Sequence, residues 1–183
     1  MKHPRQTPKT DKTMDAVNTT LNPQEFIDWL YGPDGGGSAE RPYLFLRWAC
    51  KIPFLEGRIF WEALQDVWSG FDRIPHQDFS FAFRHFKILA PREGIPTKAI
   101  IYRGQSKRAP LGLSWTTCRD VAASFAEGHR GIKNPEPVIY SMEVTAKQIA
   151  FVTNDREESE IVLFSIPRKT AKRLTVEPLD LQI

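Results

Sequence analysis

The chain has 183 residues, 41% of them hydrophobic and 26% charged, with a formal net charge of +3. This is ordinary globular composition, long enough to bury a core as one domain with an appended subdomain. The mildly basic balance permits an acidic or nucleic-acid partner without demanding one. The two cysteines, Cys50 and Cys118, lie far apart in no metal-ligand spacing, which argues against a disulfide framework and favours a reducing compartment. The polar start "MKHPRQTPKTDKTMDAVNTT" has no apolar h-region, and no apolar run approaches the roughly 18 residues of a membrane helix. A soluble, cytoplasmic protein with no signal peptide and no membrane partner is expected.

Residues 1–20 carry Lys2, Arg5, Lys9 and Lys12 among few large apolar side chains and read as a flexible basic tail. "NPQEFIDWLY" opens a helix, with Asn22 as N-cap, Pro23 at the first helical position and Glu25 completing a box-like pattern. "GPDGGGSAERP" breaks it, and "YLFLRWACK" reads as a short helix. In "EGRIFWEALQDVWSGF", Phe60, Trp61, Leu64, Val67, Trp68 and Phe71 recur at helical spacing. "DFSFAFRHFKIL" fits two periods. Phe79, Phe81 and Phe83 alternate like a strand, whereas Phe79, Phe83 and Phe86 with Ala82, His85 and Leu89 favour a helix.

The texture changes near Pro91. Strands are expected at about 98–103, 137–145, 148–153, 159–166 and 172–177, interrupted by one helix, "CRDVAASFAEG", capped by Thr117 with Asp120. The organisation is therefore a helical front, residues 21–90, and a β-rich back, residues 91–183. "RKTAKR" at 168–173 reads as a solvated basic hairpin turn.

Three places carry chemistry. "REESEIVLFSI" crowds Glu157, Glu158 and Glu160 before a strand. Paired carboxylates repel one another and resist desolvation. Strand alternation would set Glu158 and Glu160 on one face, about 6–7 Å apart, with Glu157 and Ser159 on the other. A charged strand end facing water is the plain alternative. "AIIYRGQ" ends a strand in an arginine able to fork onto a phosphate oxygen pair, and its glycine lets backbone approach a flat ligand. "GLSWTTCRDVAASFA" places Ser114, Trp115 and Thr116 before a helix. Hydroxyls there can orient a carboxylate, and Trp115 and Phe125 can wall a pocket. A core tryptophan with capping hydroxyls is the alternative. His3, His76, His85 and His129 are scattered and read as surface or packing residues.

An arginine on the first strand, a Ser-x-Thr/Ser stretch and Glu-x-Glu, in that order over about residues 98–166, resemble the arginine–serine–glutamate class of ADP-ribosyltransferases, in a small bacterial or phage form. The matching residues are Arg103 in "YRG", Ser114-Trp115-Thr116, and Glu158-Ser159-Glu160. The histidine–tyrosine–glutamate branch fits less well, because Arg103 stands where it has its histidine. The resemblance implies an α+β fold with two roughly perpendicular small sheets forming a split cleft, preceded by the helical region. It implies mono-ADP-ribosyl transfer from NAD, a co-substrate, with no metal. Glu160 would face the ribose cation, Glu158 the acceptor and Arg103 the NAD phosphates. Gly104 would offer backbone to the nicotinamide amide, Ser114 would fix Glu160, Thr116 would support the strand, and Trp115 and Phe125 would complete the cofactor set. The acceptor would be a macromolecule, a protein side chain by preference, with nucleic acid left open. A toxin or phage–host effector role is implied, with an inhibitory antitoxin or immunity partner. NAD glycohydrolase activity and a binding module that has lost its chemistry are the alternatives.

Overall fold

The computed structural model describes residues 22–129, 132–155, 157–170 and 174–179; the expected basic tail lies outside them. The chain divides into two compact units, Met1–Ile74 and Pro75–Ile183.

The first unit holds helices α1 (Pro23–Tyr31), α2 (Arg41–Ala49) and α3 (Gly57–Val67). The Asn22 side chain accepts from the Gln24 N–H and Pro23 follows it, so α1 begins where the capping chemistry predicts. The helical stripe of α3 is buried as expected: Phe60, Trp61, Leu64 and Val67, with Trp68 and Phe71 just beyond, are at most 6% exposed. Aromatic rings dominate this core. Phe26 and Trp48 stack at 4.2 Å between centroids, and Phe45 lies within 6.0 Å of Phe26, Trp48, Phe60 and Phe71. Such rings bury much apolar area per residue and favour defined relative orientations.

The second unit opens with α4 (His76–His85). Helical packing buries Phe79 and Phe83 and leaves Phe81 69% exposed, which settles the ambiguous phenylalanine run as helix. The division of the chain therefore places α4 with the sheet and not with the helical front. The strands are β1 (Lys98–Ser106), β2 (Ser114–Thr116), β3 (Gly128–His129), β4 (Ile132–Lys133), β5 (Pro137–Thr145), β6 (Ile149–Thr153), β7 (Glu160–Leu163) and β8 (Thr175–Pro178), with α5 (Arg119–Glu127) after β2. Six of them form one antiparallel sheet in the order β6-β7-β2-β1-β5-β8, and β3 pairs with β4.

The α+β class is as expected, but hydrogen bonding runs through one six-stranded sheet where two separate sheets were expected. Its continuity is uneven. β1 and β5 pair along their whole length, from Lys98↔Thr145 to Ser106↔Pro137, whereas β1 and β2 share the single pair Tyr102↔Thr116. The sheet is thus two three-stranded halves, β6-β7-β2 and β1-β5-β8, joined at a narrow seam.

Side-chain alternation gives each half two faces. Val138, Tyr140, Met142 and Val144 of β5 join Ile101, Trp115, Ile161 and Leu163 in one core. On the opposite face Ile139 meets Ala122 and Ala126 of α5. The α5 backbone comes so close to β1 that a Cβ on Gly104 would overlap the Ala122 carbonyl oxygen and lie 2.5 Å from the Ala126 nitrogen. That packing accounts for the glycine in "YRG". The expected Thr117 cap is absent: Cys118 is the N-cap, with no side-chain cap bond. Because helix backbone cannot swing aside as a side chain can, Gly104→Ala should lower the unfolding free energy by about 1–3 kcal/mol or more in urea titration. Wild-type stability in that variant would contradict the close approach.

Candidate active site at the seam of the sheet

Arg103 lies on the β1 face that pairs with Tyr140, one residue past the last contact with β2. Its side chain bridges the seam. Nη1 donates to the Ser114 carbonyl at 2.6 Å and Nε donates to Gln105 Oε1 at 2.7 Å. Gln105, two residues on and on the same face, is buried and is itself held by donating to the Ala109 carbonyl at 2.8 Å. Gln105 was not singled out from the sequence; its signal is the i, i+2 relation to Arg103. Burial lowers the Arg103 pKa to about 10, opposed by the Glu160 charge, so the guanidinium stays charged at neutral pH. The expected fork towards a ligand is partly used within the protein: the Nε hydrogen goes to Gln105 and one Nη1 hydrogen to the Ser114 carbonyl, which leaves the second Nη1 hydrogen and Nη2 for an outside oxygen.

Glu160 opens β7 opposite Thr116, and Thr116 in turn pairs with Tyr102, so all three meet at the seam. Ser114 is opposite Val162, one same-face step away from Glu160. Its Oγ is buried with no hydrogen-bond partner among the described residues. The expected Ser114–Glu160 bond is therefore not made, because the register sets Thr116 and not Ser114 across from the carboxylate. A buried hydroxyl without a partner is costly, and here it is a donor left over at the seam.

Thr116 does support the strand. Its Oγ1 donates to the Glu158 carbonyl at 2.6 Å and accepts from the Cys118 N–H at 2.9 Å, tying the loop before β7 to the start of α5. Trp115 is placed in the core: it is 2% exposed, packs among Ile101, Tyr140 and Ile161, and donates from Nε1 to the Gly112 carbonyl at 3.1 Å. Alternation along β2 turns it away from Ser114 and Thr116 and into that core. Phe125 is half-buried on α5, its carbonyl accepting from Asn134.

The strand argument for Glu158 fails. β7 begins only at Glu160, and Glu157 and Ser159 have φ of 57° and 46°, left-handed values costly for residues with a Cβ. Glu158 therefore sits in a turn, and no strand alternation places it beside Glu160. Asn154 builds that turn: its carbonyl accepts from the Glu157 N–H at 3.0 Å and its Oδ1 from the Ser159 N–H at 3.0 Å. The Ser159 carbonyl then accepts from Thr117 N–H.

His76, read from the sequence as a surface or packing residue, belongs to this cluster. Its Nδ1 accepts from the Leu113 N–H at 3.2 Å, and its pKa is lowered to about 4 by burial and then by the Arg103 charge. No local pattern announces it, since its neighbours come from distant strands. The rings of His85 and Phe86 meet edge to face elsewhere on the unit, at 4.7 Å between centroids. Among the described residues no group of His, Cys, Asp or Glu could hold a metal, and no helix is long and apolar enough to cross a membrane.

No protein-family model, no curated protein and no solved structure matches the chain.

The His76 shift has a direct consequence for stability. Between pH 6.5 and about 4 the unfolded chain binds a proton that the folded imidazole refuses. Its contribution is complete above the unfolded value and is lost as pH falls towards the folded one. Urea unfolding of wild type should therefore weaken from pH 7 to pH 5 more steeply than that of His76→Asn, which has no imidazole. Parallel pH profiles would exclude a depressed His76.

Proposed function

We propose that the chain is a mono-ADP-ribosyltransferase of the arginine–serine–glutamate class, using NAD and a macromolecular acceptor. The observation that carries the reading is the meeting of Arg103, Ser114 and Glu160 at the single-pair seam: the arginine spans from β1 to the Ser114 carbonyl, and it interacts with the Glu160 charge on β7. A split cleft of the family's kind would open at this seam, where β1 and β2 share one pair. Arg103 Nη2, which no hydrogen bond within the described residues takes, fits a polar ligand there.

When bound, NAD supplies a glycosidic C1′–N bond whose cleavage releases neutral nicotinamide and leaves cationic character on the ribose. Glu160, half-buried at the mouth of β7, faces that charge and stabilises the transition state more than the ground state. The parallel is the carboxylate that faces the sugar cation in glycosidases. Arg103 holds the phosphates. Glu158 takes the proton of the acceptor nucleophile as it bonds to C1′, from a turn fixed by Thr116 and Asn154. Gly104 offers backbone at the nicotinamide end, and Phe125 stands as its wall. A protein acceptor is favoured, with nucleic acid as the other class. A toxin or effector role in the cytoplasm, with an inhibitory partner, belongs to the same reading. Incubation with labelled NAD and a lysate, followed by protease or RNase, identifies what carries the label; no label and no released nicotinamide would refute the reading.

The two glutamates should separate. Glu160→Gln should lower both nicotinamide release and label transfer, by about 10²–10⁴-fold, the range of positioned carboxylates. Glu158→Gln should lower transfer to the acceptor while sparing hydrolysis by water. Equal loss of both rates in both variants would mean that the pair acts as one unit.

A further inference from the structure

Arg103 spends its Nε hydrogen and one Nη1 hydrogen inside the protein, and a donor from a second side chain would add to the grip of its Nη2 on a phosphate. The structure supplies a second donor beside it. Gly112, in the loop before β2, marks the spot: a Cβ there would lie 2.5 Å from His76 Nε2, 2.7 Å from His76 Cε1 and 3.0 Å from Arg103 Nη2. His76 Nε2 from α4 and Arg103 Nη2 from β1 thus both pack close against the Gly112 Cα, which brings the two nitrogens near each other. The imidazole is oriented as well as placed. Because Nδ1 accepts from the Leu113 N–H, the neutral ring carries its proton on Nε2, the nitrogen beside Gly112. Burial keeps the ring neutral at pH 7, so it adds a directed donor without a second positive charge against Arg103.

We propose that His76 is a ligand-binding residue of this site, its Nε2–H and Arg103 Nη2 forming a two-donor clamp on a phosphate oxygen of the dinucleotide. The ligand identity rests on the transferase reading; the clamp itself rests on the geometry around Gly112. Three variants of the full chain test it. His76→Asn keeps an acceptor for the Leu113 N–H and lacks a donor at the Nε2 position. His76→Gln reaches that position with an amide N–H. Gly112→Ala leaves both side chains chemically intact and sets a methyl against the two nitrogens, which must shift from their positions.

Titration calorimetry with NAD should show affinity falling about tenfold or more in His76→Asn and Gly112→Ala, the scale of a lost hydrogen bond to a charged group, and partly recovered in His76→Gln. Thermal melting establishes that each variant is folded. If His76→Asn does not fold, Gly112→Ala decides. In wild type, the His76 Nε2 ¹⁵N signal should move on adding NAD, which a purely structural histidine would not show. Wild-type affinity in folded His76→Asn or Gly112→Ala overturns the clamp and leaves the transferase reading standing. If wild type binds inorganic pyrophosphate but not NAD, the reading falls and the same variants judge the clamp with pyrophosphate. Binding of neither overturns both.

Discussion

The hydrogen bond from Arg103 Nη1 to the Ser114 carbonyl holds together what the sheet barely joins. Two three-stranded halves share one residue pair, Tyr102↔Thr116, and a single antiparallel pair contributes little rigidity. A charged donor at 2.6 Å on the neighbouring strand's backbone is stronger than a neutral ladder bond. It also fixes the guanidinium, because Gln105 closes the Nε side and is itself tied to the Ala109 carbonyl. The arginine is therefore pre-set, and little side-chain freedom remains to be lost when a ligand arrives. The brace matters because β1 and β2 share no pair beyond Tyr102↔Thr116.

The crowded glutamates find their explanation in the turn and not in a strand. Glu157 and Ser159 both hold left-handed backbone, at about 1–2 kcal/mol each for a residue with a Cβ. Such conformations persist only where surroundings enforce them. Asn154 does so from one side, through its carbonyl and its side chain, and Thr116 does so from the other through the Glu158 carbonyl. The result displays Glu158 from a rigid turn while Glu160 begins the strand. Thr116 links that turn to the α5 N-terminus as well, so the glutamate loop, the seam and the helix packed on Gly104 are mechanically one assembly.

The sequence was most legible where a period runs long enough to be counted. The α3 stripe is legible because it repeats several times against a core, and the strand expected at about 137–145 matches β5, Pro137–Thr145. The three residues of β2 were read as a stretch between turn and helix, since so short a strand shows no alternation of its own. The β7 start was placed one residue early at Ser159, whose conformation depends on an Asn154 side chain that no strand propensity reports. The ordered Arg103, Ser114 and Glu160 were legible as residues, and they do meet at the seam. The bonds between them were not: Ser114 uses its carbonyl, not its hydroxyl, and it serves the arginine, not the glutamate. His76 was invisible for the same reason as Gln105. Their place is fixed by tertiary contacts, and isolated polar residues carry no period.

The electrostatics of the cluster explain why an imidazole can sit beside a buried guanidinium. Two adjacent cations would repel strongly where water is largely excluded, and the penalty would fall on the group that can release its proton. Arginine cannot do so near neutrality, so histidine does: burial first, and the Arg103 charge second, lower its pKa to about 4. The cluster then carries one positive charge on Arg103 and one negative charge on Glu160, with His76 and Ser114 as neutral, directional groups. A balanced pair of this kind costs less to bury than either ion alone. It also divides the seam by sign: anionic oxygen is favoured on the Arg103 and His76 side, cationic character on the Glu160 side. That polarity is set by the fold before any ligand is present, and it is what the proposed transfer from NAD asks of the site: positive charge towards the phosphates and negative charge towards the ribose.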